Sequence, residues 1–534
     1  MKKKSLSSHL NVSNTPVSEK VSDNQVLNNT GGYVYTVSLK DKFKRFIILG
    51  SEGGTFYQTE RDLTIDNAKS TIEMIKSDSK FVIDETIRVS SEGLARKNEP
   101  AILTMALLMV YGNDEVKSQV VKNISKVCRT GTHLFILAGY IKDLRGWGST
   151  VKKLFKSWYS KDVSNLTYQM VKYQNRNGWN HGDMLKLNHI KPSTPEYDLL
   201  FHWVLTGELN KGELKVESFE NLKLLVGFEL AKKCKTEKEI IPLIKQYGLT
   251  REMIPTEFLN KPDVIETMLP NLGLTAIVRS LGSWTACGFL SNDKIKQLNQ
   301  VVDMITNETL VKKSMLHPIQ ILEALKTYIN GRGFKGNLTW NPIQKITDAL
   351  DKAFYMSFKN VVPTGKNIML AIDISGSMTW DGNANSILTP REISCAMAMV
   401  TARTEKNYVI KGFATNFIDL NITPHMTLRS IIEYVDKLQM GSTDCSLPMK
   451  YATENKMDID AFIVYTDNET NSGGHPSVAL KDYRKKCNKP NAKLIVCGIT
   501  ATDFTIADPS DPNMYDIVGG SSELPSLIST LLSL

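Results

Sequence analysis

No stretch of this chain approaches the ~20 consecutive apolar residues that a membrane-crossing helix needs, so no membrane-spanning segment is expected. Its seven cysteines (Cys128, Cys234, Cys287, Cys395, Cys445, Cys487 and Cys497) are scattered, odd in number and contain no C-x-x-C pair. That excludes a disulfide scaffold and leaves a cysteine zinc site without support; reduced thiols in a cytosol-like compartment are expected. Glycine and proline are modest at 33 and 19 residues, which excludes collagenous and low-complexity chains. No nucleophile stands beside a base, so a hydrolase is a poor reading. The opening Met1-Lys2-Lys3-Lys4-Ser5 looks like the basic start of a signal peptide, but residues 5–30 lack the apolar segment that should follow. A cytoplasmic protein is the expectation.

What is present is ordinary core-forming material: 42% hydrophobic and 23% charged residues over 534 positions, enough for more than one domain. The net charge of +9 hides a split. Residues 361–534 carry 15 Lys and Arg against 19 Asp and Glu, and residues 1–360 carry 50 against 37. The basic excess therefore belongs to the first two-thirds, where it would attract polyanions, nucleic acid first.

Residues 1–30 are polar and aperiodic and read as a disordered or loosely attached arm. Arg45–Gly50 is a short apolar run suited to a strand in a small sheet or hairpin. From there to about residue 362 apolar residues recur every three or four positions, in segments such as 99–111, 132–144, 165–173, 236–247 and 318–329. More than a dozen such helices joined by short polar breaks suggest stacked pairs of HEAT or armadillo type, which curve and present long concave surfaces. The period changes near Val361–Gly365. Continuous apolar runs at 367–372, 408–413, 461–465 and 493–498 alternate with helical segments, predicting a doubly wound parallel sheet over 363–534.

The first of these strands ends in Asp373-Ile374-Ser375-Gly376-Ser377. Ligands of doubly wound sheets bind beyond the carboxyl ends of the strands. One carboxylate and two hydroxyls there can converge on a hard divalent cation. The loop Gly441–Asp444 adds Thr443, and the strand at 461–465 runs into Thr466-Asp467-Asn468, a second carboxylate. Five such side chains on three loops of one sheet are hard to obtain by accident.

That set resembles the metal-ion-dependent adhesion site of von Willebrand factor A domains. The resemblance implies that Asp373, Ser375, Ser377, Thr443 and Asp467 hold a divalent cation such as Mg²⁺ and leave a position open to an acidic group, for instance from a protein ligand. From about residue 33 to its end the chain resembles the Ro autoantigen family, ring proteins built from a TROVE module and a von Willebrand A domain. The stretches that carry the likeness include Phe46–Tyr57, Val127–Phe135, Trp147–Tyr159, Lys172–Ser193 and Gly441–Met449. The resemblance implies a ring-like α-solenoid of HEAT-like repeats over 31–362, closed by the A domain at 363–534. It further implies a monomeric, non-enzymatic protein that binds small noncoding Y RNA on an outer basic surface. Misfolded RNA would enter a central hole by its single-stranded 3′ end, and bacterial members are associated with exoribonucleases. The family's Y RNA positions fall on Lys172, Arg176 and His189, the first two expected one helical turn apart on one helix. Lys142, Arg145, Lys152, Lys153 and Lys156 form a second basic group around Trp147 and Trp158, tryptophans expected to serve the core. Arg129 and Thr132 are candidates for contact with a single strand. A protein-interaction scaffold gripping an acidic partner through its cation is the rival reading, and an RNA-processing enzyme lacks an acid–base or two-metal signature.

Overall fold

A computed structural model describes residues 15–49, 68–95, 97–333, 336–358, 362–379, 387–435, 437–438, 441–500 and 502–533. Helices run from Leu39–Leu49 to Gln344–Met356, each neighbouring the next few in the chain. Their cores are continuous: Phe43, Leu107, Phe135, Trp158 and Ile240 belong to one buried cluster, which hands over near residue 265 to a second around Leu281, Leu322 and Phe354. Most of these segments, at 7–14 residues, are too short to stand alone in water, so this stacking supplies their stability.

The array closes on itself. His317, at the start of the Pro318–Ile329 helix, donates from Nε2 to the Leu94 carbonyl just past the Lys69–Glu92 helix (3.2 Å), while its Nδ1 accepts from the Ile319 amide. Both ends also grip the carboxyl-terminal domain. Arg45 reaches Asp516 (2.6 Å) and the Phe504 carbonyl (3.0 Å), and Arg88 reaches Glu523 (2.7 Å). From the far end, Lys326 reaches the buried Glu392 (2.5 Å). The result is a helical ring of HEAT-like character with the sheet domain as its clasp.

The six-stranded sheet of that domain has the order 514–518, 493–498, 461–466, 368–373, 408–413, 417–419. All neighbours are parallel except the last pair, in which Phe413 faces Phe417 across an antiparallel register. The strands 368–373, 461–466 and 493–498 are buried at every residue, as their unbroken apolar runs predict. The chain moves from 368–373 to one side, then returns to 461–466 on the other, so the strand order reverses between these two strands.

Two expectations near the amino terminus fail. Arg45–Leu49 is not a strand but the end of the Leu39–Leu49 helix, with Phe43, Phe46 and Ile47 buried; a short apolar run cannot by itself distinguish strand from helix. Residues 15–30 are not a loose arm. Strands Gln25–Leu27 and Tyr33–Thr36 pair, and the second also pairs with Phe504–Thr505 of the clasp domain. Val17 is buried, its amide donates to the Gly473 carbonyl (2.9 Å), and Val34 joins the clasp's own core. Polar local sequence hides this, because the partners in the clasp lie more than 400 residues away. Residues 1–14 lie outside the described residues.

Candidate metal centre and candidate nucleic-acid interface

Asp373 and Asp467 sit at the carboxyl ends of the two strands between which the sheet order reverses, where the topology opens a crevice. Asp373 Oδ1 accepts the Ser375 amide (2.9 Å), and its Oδ2 accepts the Thr466 hydroxyl (2.6 Å). Ser375 Oγ lies 3.2 Å from Ser377 Oγ. Asp467 Oδ1 accepts the Glu469 amide (3.0 Å). Thr443 is fixed by exchange with the neighbouring loop: its amide donates to Asn471 Oδ1 (2.8 Å) and its carbonyl accepts the Asn471 and Ser472 amides. The Gly376 amide reaches the Gly441 carbonyl, so all three loops are tied together. All five residues expected from the sequence are buried in this mouth.

The electrostatics suit a cation. Burial pushes the Asp373 carboxyl up, and the charge of Asp467 beside it pushes further. Burial likewise raises Asp467, against partial relief from the Ser377 hydroxyl. Asp467 Oδ2 is buried with no hydrogen-bond partner. Two desolvated acids, an orphaned carboxylate oxygen and three hydroxyl side chains form the hard oxygen set that Mg²⁺ or a similar ion takes. Among the described residues no three His, Cys, Asp or Glu side chains gather into a metal site, so hydroxyls would complete the shell. Sequence reading missed the supports: Thr466, Asn471, and the buried Arg391, which donates to the Ile374 (2.6 Å) and Ser375 (3.2 Å) carbonyls and so pins the first loop. No local feature marks Arg391, which precedes Glu392 at the start of a helix that also carries Ser394, Thr401 and Arg403.

On the helical ring the basic residues divide into three settings. Contrary to expectation, Lys172 and Arg176 do not share a helix, because the Val163–Lys172 helix ends at Lys172. Arg176 stands in a two-stranded hairpin, opposite Trp179. Asn177 and Gly178, both at positive φ, form its turn, and that dipeptide was the overlooked hairpin signal. Lys172 is engaged: Nζ donates to the Tyr168 hydroxyl (2.8 Å), lies 3.6 Å from the Glu252 carboxylate, and its side chain is 17% exposed.

Around the hairpin a contiguous surface does form. Trp147 stacks on Phe155 and on Trp179, each at 5.5 Å, and its indole N–H donates to Asn188 (3.0 Å), next to the exposed His189. Lys142 lies 5.9 Å over Trp179. Arg176 and Lys142 thus each neighbour Trp179 of this stack, and His189 follows the Asn188 that anchors Trp147. Arg145 donates to the Met109 carbonyl; Lys153 and Lys156 are exposed and Lys152 half-buried on the Ser149–Trp158 helix, whose Phe155 joins the stack. Trp158 is fully buried, its N–H given to the Cys128 carbonyl (2.6 Å), as a core residue should be. Arg129 and Thr132 lie apart, at the opposite end of the Gly131–Leu144 helix from Lys142, and Arg129 is spent on Ser90.

A helical ring clasped by a parallel sheet, with an oxygen-lined mouth at the sheet's reversal point, defines a protein of TROVE plus von Willebrand A construction. Residues 26–330 match the family model of the TROVE domain, and residues 367–532 match that described as the Ro60 vWA domain. The chain belongs to the Ro60 family. It is 33% identical to the RNA-binding protein RO60 of Caenorhabditis elegans, over 96% of this chain and 90% of that one. It is also 33% identical to the RNA-binding protein RO60 of Deinococcus radiodurans, over 98% of both. The crystal structure of the Deinococcus radiodurans RO (RSR) protein superposes with a TM-score of 0.70 at 32% identity, covering 93% of this chain and 99% of that one.

Proposed function

We propose that this protein is a non-enzymatic RNA binder that holds small noncoding Y-like RNA on the outer basic surface of its ring. It would take single-stranded 3′ ends of misfolded RNA into the central hole, as a component of RNA quality control. The observation that carries the reading is the near full-length likeness to two proteins named for RNA binding, together with the cationic surface built around Trp147 and Trp179. Exposed Arg176, Lys153 and Lys156 can track phosphates, and His189 can donate to one or stack on a base. Lys172, already paired with Glu252, acts from behind by fixing the end of the helix that leads into the hairpin. Contacts of this kind release counterions, so affinity falls steeply with salt. The test is an electrophoretic shift with a structured RNA bearing a single-stranded 3′ end, titrated across salt; no shift at low ionic strength rejects the proposal.

The clasp's mouth holds Mg²⁺ or a similar divalent ion through Asp373, Ser375, Ser377, Thr443 and Asp467. When bound, the ion would neutralise the two acids and offer an open position to a carboxylate or phosphate. The same position suits an acidic protein ligand, and an exoribonuclease could be brought to the captured RNA end. The protein acts in the cytoplasm as a monomer.

A further inference from the structure

We infer that the amino-terminal strap, residues 15–37, supports the cation mouth, with Asn28 and Asn29 as positioning residues for the loop that carries Asp467. The inference rests on the reading of that mouth as a cation site and says what governs its shape.

The strap crosses the clasp domain at one particular loop. Asn28 Nδ2 donates to the Thr470 carbonyl (2.7 Å), while its Oδ1 accepts the amides of Thr30 (3.1 Å) and Gly32 (2.8 Å), so this one side chain both folds the strap's turn and fastens it. Asn29 gives its backbone N–H (3.1 Å) and its side-chain amide (2.5 Å) to the two carboxylate oxygens of Glu469. Contact is close: a Cβ at Gly32 would stand 2.0 Å from the Thr470 carbonyl oxygen. The residues so gripped belong to the mouth. The Glu469 amide donates to Asp467 Oδ1 (3.0 Å), and the Thr470 hydroxyl donates to the carbonyl of Thr443 (3.3 Å). The strap therefore reaches two of the five expected ligands through one intervening residue each.

Groups behind a metal's ligands fix their orientation, and removing them typically weakens the metal by about 10–100-fold. A loop left unfastened must be ordered by the cation itself, at a cost in conformational entropy. Linkage is reciprocal: if the strap favours cation binding, the cation must favour the docked strap. The strap also pairs with Phe504–Thr505, close to where Arg45 of the first ring helix anchors, so cation occupancy would tighten the ring's amino-terminal closure.

The experiment compares the full-length wild type with Asn28→Asp, which replaces the donating amide by a carboxylate facing the Thr470 carbonyl. A second variant, Gly32→Ala, pushes the strap off while leaving both asparagines in place. Mg²⁺ affinity is read by calorimetry, and hydrogen exchange is read over residues 15–37. The expected result is a Kd about tenfold weaker in either variant, with Mg²⁺ slowing strap exchange in the wild type but not in Asp373→Ala. A Kd equal to wild type in both variants overturns the inference while leaving the cation site standing. Absence of any Mg²⁺ uptake by the wild type instead rejects the cation site itself.

Discussion

The two halves of this molecule put their polar chemistry in opposite places. In the helical ring the candidate ligand-binding groups are outside, carried on a surface whose aromatic stack only spaces them. In the clasp they are inside, five side chains packed in a mouth beyond two fully buried strands with hardly any exposure. A polyanion met through solvent needs many cations and tolerates imprecision. A cation held by protein oxygens needs few groups held in place. The charge split along the chain, basic ring and acidic clasp, is the sequence trace of that division.

The sharpest way to break the contrast is charge reversal on the ring. Arg176→Glu combined with Lys153→Glu and Lys156→Glu should abolish RNA retardation at moderate salt, while Mg²⁺ uptake by calorimetry stays as in the wild type. Loss of both would show that the two regions are not separable. Next in size, Asp373→Ala should eliminate Mg²⁺ binding and leave the RNA dissociation constant nearly unchanged in filter binding. A matching loss of RNA affinity would mean that the cation organises the ring.

Acid should weaken the ring. Burial, with help from the nearby Arg129, lowers His133 to about 4, and burial lowers His181 to about 3. Both are neutral when folded yet take up protons below ~6.5 when unfolded, so the unfolded state binds more protons across that window. Stability should be complete above pH ~6.5 and fall, by up to about 1.4 kcal/mol per pH unit for each histidine, as pH drops towards 4. Six of the seven tryptophans precede residue 361, so thermal melts followed by tryptophan fluorescence report this directly. A melting temperature flat between pH 7 and 4.5 would contradict it.

The smallest effect separates two residues that the family resemblance treats alike. Arg176→Ala should lower the slope of log affinity against log salt by about 0.9 for each phosphate contact removed. Lys172→Ala should barely change that slope but cost about 0.5–1.5 kcal/mol of stability through its lost bond to Tyr168. Equal slope changes would return Lys172 to the outer surface.

Much of this was legible in the chain itself, for identifiable reasons. Strands at Tyr408–Phe413 and Lys493–Gly498 and helices at Glu99–Tyr111 and Pro318–Ile329 fall where periodicity places them. Four of the five candidate oxygen ligands were legible because they lie at or just past the end of a strand of unmistakable apolar character, whereas Thr443 lies in the loop before the Leu447–Glu454 helix. The Leu39–Leu49 helix was not legible, because Arg45, which occupies its core side, is neutralised by Asp516, far away in the chain. Nor was the short antiparallel edge strand Phe417–Asp419, whose three residues carry no periodic signal.

Sequence alone determined the division into a basic helical part and an acidic sheet, because periodicity and charge are local properties that survive without coordinates. It also determined which oxygen-bearing residues could meet, because a parallel sheet places the ends of its strands on one edge. Only the tertiary structure decided which cations are exposed. Lys172 and Arg129 are engaged by Glu252 and Ser90, whereas Arg176 stands exposed on its hairpin. It alone decided, too, that the polar amino-terminal stretch is a strap on the clasp, since strand pairing across more than 400 residues leaves no mark on either partner's local pattern.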